Sequence, residues 1–242
     1  MADEEGSYDS TTVESLNPSD VLEGTLHDYI QTPKKHNIAT VADLYDNWTS
    51  TYEKDLEDAS YQGPAKVSTI LSEHCPNKTI KVLDCGAGTG LVGKELYNLG
   101  FTNIVGLDIS PESLRVAEQK GVYKKLICAE VGKEAMPFND NEFDALVCSG
   151  CILPGHMRPA CYREWVRIVK PGGTIAWTMR PCYIQLVKGQ EDRFSKDYQE
   201  EFHEVMRDLE DSKRWKILHK GSFPGYRENI EGLALVAKVL VM

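Results

Sequence analysis

Val82-Leu-Asp-Cys-Gly-Ala-Gly-Thr-Gly90 is the stretch that decides the fold. An apolar start runs into an acid, Asp84, and then into glycines at alternate positions, Gly86, Gly88 and Gly90. The run Ile80-Lys-Val-Leu83 reads as a strand, and residues 90–99 have helical spacing. A strand that turns through glycines into a helix lets backbone N–H groups approach a ligand closely. The helix N-terminus adds positive potential at the same place. Gly88-Thr-Gly-Leu-Val-Gly93 also satisfies the G-x-G-x-x-G dinucleotide pattern, with Asp108 placed 20 residues beyond Gly88.

Two features oppose a dinucleotide. The glycines start at Gly86, so Gly88 is mid-loop and not the first residue of the turn. Asp84 ends the strand beside the loop, where a pyrophosphate would meet a carboxylate. Like charges at about 4 Å cost several kcal/mol in a half-buried site. A ligand carrying an ammonium group is attracted instead. S-adenosylmethionine has that group, a positive sulfonium and no phosphate. Asp108, at the end of a second strand, suits its ribose, because a carboxylate accepts two hydrogen bonds.

Outward from the loop, strands and helices alternate. Asn103-Ile-Val-Gly-Leu107, Lys125-Leu-Ile-Cys128, Phe143-Asp-Ala-Leu-Val-Cys148 and Thr174-Ile-Ala-Trp-Thr178 read as strands two to five. Ser110-Pro-Glu-Ser113 caps a helix, with Pro111 at the first helical position, where its missing N–H costs nothing. Helices are expected over 61–75 and 158–169, the latter ended by Pro171-Gly-Gly173. This alternation predicts a doubly wound α/β sheet, mostly parallel, with helices on both faces. Residues 190–212 read as a charged helix. Arg214–Leu218 and Leu233–Leu240 then read as two strands without a clear helix between them, an arrangement that favours antiparallel pairing.

Asp84-Cys-Gly-Ala-Gly-Thr-Gly90, Asp108 and Pro171-Gly-Gly173 occur in the order found in class I S-adenosylmethionine-dependent methyltransferases. The chain resembles that family over about residues 41–180. The resemblance implies a Rossmann-like sheet of seven strands with the last antiparallel, S-adenosyl-L-methionine as cofactor, and in-line methyl transfer. It places the cofactor on Asp84, Cys85, Gly86, Ala87, Gly88, Gly90 and Leu91, and its ribose on Asp108. It also implies an acid after the third strand for the adenine amino group. Glu130 stands there with Val131 beside it, and Ile109 flanks the other adenine face; a surface role for Glu130 and a core role for Ile109 stay open. Ser149 ends the fourth strand, where donor and acceptor should meet.

A closer likeness is to the methyltransferase-like proteins of the Williams–Beuren syndrome chromosome region. It rests on Leu44-Tyr-Asp-Asn-Trp-Thr-Ser-Thr-Tyr-Glu53, Gly132-Lys-Glu-Ala-Met-Pro137 and Lys170–Arg180. It implies that residues 38–57 form a lid over the cofactor through Tyr45, Trp48 and Tyr52. Their spacing also fits one helix face packed on the core. Thr40-Val-Ala-Asp43 reads as that helix's start, with Thr40 as N-cap.

The net charge of −10 is unevenly placed. Residues 1–33 hold eight acids and no Lys or Arg, which leaves 29 of the 37 acids to face 27 bases in the rest. Residues 1–37 are expected to be a flexible acidic tail, with a short helix possible over 21–30, and 38–242 a single domain. A near-neutral folded part without a basic stripe points to a small molecule or a protein as methyl acceptor, not to nucleic acid or membrane. With no basic start or apolar run at the N-terminus, a cytoplasmic or nuclear, monomeric protein is expected. The seven cysteines lack framework spacing, and Cys148-Ser-Gly-Cys151 ends a strand instead of opening a helix, so neither a redox pair nor a metal is expected. His156 is the weak candidate for a general base, with a plain loop histidine as the alternative. Arg180 ends the fifth strand, where it either binds an anionic substrate group or pairs with a core carboxylate. A nicotinamide-dependent oxidoreductase and a non-catalytic cofactor-binding protein are the rival functions.

Overall fold

A computed structural model describes residues 38–131, 135–184, 196–227 and 230–241. The expected acidic tail, with its possible helix over 21–30, lies outside the described residues, as do Gly132-Lys-Glu134. Two helices come first, α1 (Ile38–Asp58) and α2 (Gly63–His74), followed by β1 (Val82–Cys85) and α3 (Leu91–Asn98). Then come β2 (Ile104–Asp108), α4 (Pro111–Gln119), β3 (Lys125–Cys128), β4 (Phe143–Ser149), α5 (Cys161–Ile168) and β5 (Val169–Met179). A single 3-10 turn at Pro181–Tyr183, α6 (Lys196–Asp211), β6 (Trp215–Arg227) and β7 (Ile230–Val239) complete the order.

The strands form one seven-stranded sheet in the order β3-β2-β1-β4-β5-β7-β6. All pairs from β3 to β5 are parallel, and β7 runs antiparallel to both its neighbours. The period-two alternation of the strands sorts the core onto two faces. Leu83 and Cys85, Leu146 and Cys148, Ile175 and Trp177, and Leu233 and Leu235 share one apolar cluster, with Trp165 of α5 and Phe202 of α6. Val82, Ala145, Val147, Ala176 and Val236 point the other way, against Val67 and Leu71 of α2 and Leu96 of α3. Both faces are covered, as a largely parallel sheet requires.

The expected doubly wound architecture is what the structure has, and Ser110 caps α4 as read, its Oγ accepting from Ser113 N at 3.0 Å. Several boundaries differ, four of them with a clear cause. Helix α1 already includes Ile38, so Thr40 lies inside its first turn and not at its cap. The reason is local: neither Ile38 nor Ala39 interrupts a helix. Strand β1 reaches Cys85, because Asp84 and Cys85 still pair with Gly106 and Leu107. Helix α5 ends at Ile168, and Val169 already pairs with Phe143, so the Pro171-Gly-Gly173 turn falls inside the strand segment. Strand β6 is far longer than its apolar start. It continues through Gly221, Pro224 and Gly225, which reads as a loop in sequence but is tolerated because β6 is the sheet edge, where a proline need donate nothing.

Strands β1 and β4 lie side by side while their chain connections leave to opposite sides. The carboxyl ends of β1, β2 and β4 therefore open onto a crevice. Helix α1 lies across that crevice. Its Asp46 carboxylate accepts from Ser110 Oγ at 2.5 Å and from Glu112 N at 3.3 Å, placing negative charge at the N-terminus of α4. Its Glu53 pairs with Lys120 at 2.5 Å. Among the described residues no helix is long and apolar enough to cross a membrane.

Candidate active site

The glycine loop is fastened to β2. Gly86 N and Ala87 N both donate to Leu107 O, at 2.8 and 2.9 Å. Gly88 N donates to Asp108 Oδ2 at 2.8 Å, and Ser110 N to Asp108 Oδ1 at 2.9 Å. These bonds hold the Asp108 carboxylate on the wall of a cavity of about 950 Å³, open mouth included. Burial raises its pKa, and the amides of Ser110 and Gly88 oppose that rise.

Eleven of the residues assigned to the cofactor from sequence line this cavity: Tyr45, Tyr52, Gly86, Ala87, Gly88, Leu91, Asp108, Ile109, Glu130, Val131 and Ser149, together with His156. Four others lie elsewhere. Asp84 and Cys85 are fully buried behind the loop. Gly90 has φ +91°, and a Cβ on it would press on Tyr123 and Ala117 at 3.1–3.2 Å. Trp48 lines a smaller neighbouring cavity. Asp84, expected to contact an ammonium group, lies buried behind the loop and not on the cavity wall. Burial pushes its carboxyl up to about 7.

Gly88 shows why the loop has to be glycine on the cavity side. It has φ +51°, and a Cβ there would meet nothing within 4 Å, so a side chain would fill the cavity itself. Gly93 has a different task, since its Cβ would sit 2.2 Å from the Tyr123 ring.

Three tyrosines close the cavity from above and beside. Tyr45 Oη lies 2.9 Å from His156 Nε2, and its ring meets the imidazole edge-on at 5.6 Å. Burial lowers the His156 pKa to about 4, so the ring is neutral at physiological pH. Tyr61 Oη lies 2.8 Å from Ser149 Oγ, which lies 2.8 Å from Thr178 Oγ1. Tyr45 and Tyr52 are held well above the usual phenol range by burial and stay protonated. Sequence reasoning missed Tyr61, Thr89, Cys151 and Met157 on this wall. Tyr61 had a usable signal, an aromatic immediately before the Gly63-Pro64 helix start; Met157 had none.

Residues 83–177 match the family model for a methyltransferase domain. Over that segment the chain is similar to methyltransferase domains. The seven strands and the antiparallel β7 are those the sequence resemblance implied. The chain is 31% identical over 146 residues to human Methyltransferase-like protein 27, covering 60% of this chain and 59% of that protein. It is 29% identical over 160 residues to a sterol 24-C-methyltransferase of Aspergillus fumigatus, covering 61% of this chain and 42% of that protein. The matches thus span less than two thirds of those relatives' lengths. The fold is shared with the [4+2]-cyclase SpnF, with TM-score 0.64 and 17% identity over 84% of this chain and 96% of that one. A putative S-adenosyl-L-methionine-dependent methyltransferase from Methanococcus maripaludis matches with TM-score 0.55 and 16% identity, over 83% and 93% of the two chains.

S-adenosylmethionine is the cofactor of such a domain, and the residues present fit it. The large cavity is lined by two carboxylates, Asp108 and Glu130, and by no Lys or Arg. That wall suits a cation with a ribose and repels a pyrophosphate. Thr89 Oγ1 lines the same cavity without a hydrogen-bond partner in the protein, and Asp84 Oδ1, buried behind it, has none either.

Proposed function

We propose that this protein transfers a methyl group from S-adenosylmethionine to a small molecule or to a protein side chain. The observation that carries the reading is that two cavities share one wall. Tyr45, Tyr52, Tyr61 and Gly150 line both the large cavity on the glycine loop and a second one of about 490 Å³. A donor on the glycine side and an acceptor on the other side would meet across that wall.

The cofactor supplies a methyl group on a positive sulfur with a good leaving group. The chain's own residues then have modest tasks. Asp108 holds the ribose hydroxyls, Gly86 to Gly88 let the backbone close on the ligand, and Glu130 with Val131 and Ile109 frames the adenine. Tyr45, Tyr52 and Tyr61 position the acceptor and exclude water. Alignment of this kind supplies much of the rate in an in-line displacement. His156, hydrogen-bonded to Tyr45 and neutral at physiological pH, is the candidate proton acceptor, a weak base at a pKa of about 4 that passes the proton on and does not keep it.

Two experiments test this. Calorimetric titration should show binding of S-adenosylmethionine and none of NAD or NADP; binding of a nicotinamide cofactor alone would favour an oxidoreductase. Incubation of the protein with labelled donor and separated small-molecule and protein extracts should label one fraction. Binding without any transfer in either fraction would favour a non-catalytic role.

A further inference from the structure

The second cavity differs in character from the first. Its walls are aromatic, with Trp48, Tyr183 and Tyr226 added to the shared tyrosines, and they carry Arg180 and Arg227 but no Asp or Glu. The lining thus differs in charge across the shared wall: Asp108 and Glu130 on the donor side, Arg227 on the other, where Arg180 has interactions of its own.

Arg227 is the decisive residue. It ends β6 opposite Ile230, and only 7% of its surface is exposed. Among the described residues no carboxylate lies within ion-pair distance of it. A guanidinium this buried is ordinarily paired, and the described residues supply no carboxylate for it. Arg180, the other basic residue of the cavity, lies 5.7 Å over the Tyr183 ring. Asp55, which accepts from Trp48 Nε1 at 2.7 Å, is not part of the cavity wall.

We infer that this cavity is the acceptor site and that it selects a flat aromatic molecule bearing an oxyanion, carboxylate or phosphate, bound by Arg227. The inference rests on the methyltransferase reading for the word acceptor and on the cavity alone for the ligand class. Aromatic walls favour a ring, through stacked and edge contacts, and guanidinium is matched to oxyanions by its fork of donors. Both arginines line the second cavity and neither lines the donor cavity. The oxyanion therefore lies outside the donor cavity, and the methylated atom is a different group of the acceptor.

The test uses full-length protein saturated with S-adenosylhomocysteine, whose own binding is measured first. Three probes are then titrated by calorimetry: 4-hydroxyphenylacetate, phenyl phosphate and the neutral 4-hydroxyphenylacetamide. At least one anion should bind about tenfold or more tightly than the amide; which anion does so identifies the oxyanion. Arg227→Gln should abolish that preference while leaving amide binding and S-adenosylhomocysteine affinity unchanged, and Arg227→Lys should keep part of it. Equal binding of anions and amide to the wild type, or no binding of either anion at millimolar concentration, would overturn the proposal without needing any variant to fold. A preference that survives in a folded Arg227→Gln protein would overturn it too. If S-adenosylhomocysteine itself does not bind, the methyltransferase reading fails, while the anion preference is still decided on the unliganded protein.

Discussion

Tyr123 Oη donates a hydrogen bond to Asp84 Oδ2 at 2.7 Å, beneath the glycine loop and out of reach of solvent on the Asp84 side. The phenol reaches the carboxylate through a slot made by missing side chains. A Cβ on Gly90, Gly93 or Gly106 would come within 3.1, 2.2 or 3.0 Å of the Tyr123 ring. The loop glycines therefore divide their work: Gly88 leaves room for a ligand, while Gly90 and Gly93 leave room for the tyrosine that holds the acid. The dinucleotide-like spacing Gly88, Gly90, Gly93 is thus met for a reason unconnected with a pyrophosphate.

The buried Asp84 makes stability depend on pH with an unusual sign. Its carboxyl is raised to about 7 by burial, against about 4 in an unfolded chain. Between those values the folded state keeps the proton and the unfolded state has lost it, so stability falls as pH rises. The slope from this site is up to about 1.4 kcal/mol per pH unit. Asp84→Asn lacks the titration. Urea unfolding of both proteins at pH 5 and at pH 7.5 should show the variant gaining on the wild type as pH rises. Parallel curves would mean that Asp84 is ionised throughout.

Cofactor affinity should respond to Gly88 and Asp108 in different ways. Gly88→Val forces a branched residue into φ +51° and fills the cavity, and should abolish binding. Asp108→Asn keeps the shape but replaces charge-assisted hydrogen bonds with neutral ones, and should weaken binding by about 1–3 kcal/mol. Calorimetry separates the two outcomes. Near-native affinity in either variant removes that residue from the cofactor site.

Much of this arrangement was legible in the sequence because its determinants are local. The glycine loop, the Ser110-Pro111 cap and the apolar strands each declare themselves within about ten residues. What failed to show is contact between distant segments. Nothing near Asp84 indicates that Tyr123 will cover it, and nothing near Tyr45 indicates His156, 111 residues away. The long edge strand β6 was hidden for the opposite reason: Gly221, Pro224 and Gly225 are loop residues by local preference, and only its place at the sheet edge admits them. Trp48 was assigned to the cofactor with Tyr45 and Tyr52, yet the helix turns it onto the neighbouring cavity. Three residues on one helix face need not meet the same ligand.

His156 should oppose Asp84 in its pH behaviour. Burial lowers its pKa to about 4, against about 6.5 when unfolded. Between those values the unfolded chain takes a proton that the folded one does not, so this site's stability is complete above about pH 6.5 and is lost as pH falls. His156→Gln should flatten the loss between pH 6.5 and 4.5, measured by urea unfolding. If His156 is also the proton acceptor, turnover of the variant falls while cofactor affinity holds. An unchanged acid limb would mean the imidazole is solvated in the folded protein.

The last prediction concerns helix α1. Tyr45 and Tyr52 face the large cavity, and Trp48 packs against Tyr52 edge-on at 4.8 Å and against Tyr45 in a stack at 6.1 Å. Among the described residues the helix's polar ties to the rest of the fold are Asp46 at the start of α4, Thr49 with Ser113, Glu53 with Lys120 and Tyr45 with His156. An aromatic face laid over a cavity in place of a packed core is the feature of a segment that opens locally. A bound cofactor adds contacts to Tyr45 and Tyr52 in the closed state alone, and so must lower the open population by linkage. Amide exchange over residues 41–53 should therefore slow when S-adenosylmethionine is added. Tyr45→Ala should weaken cofactor binding about tenfold or more, whereas Trp48→Ala should change it little, because Trp48 lines only the second cavity. Trp215→Ala is the control: that ring is buried in the core against Trp177, so its loss should cost stability and not affinity. Exchange that is equally slow without cofactor would make α1 a fixed wall. Exchange that never slows, together with normal binding by Tyr45→Ala, would remove α1 from the cofactor site and leave its aromatics as packing for the second cavity.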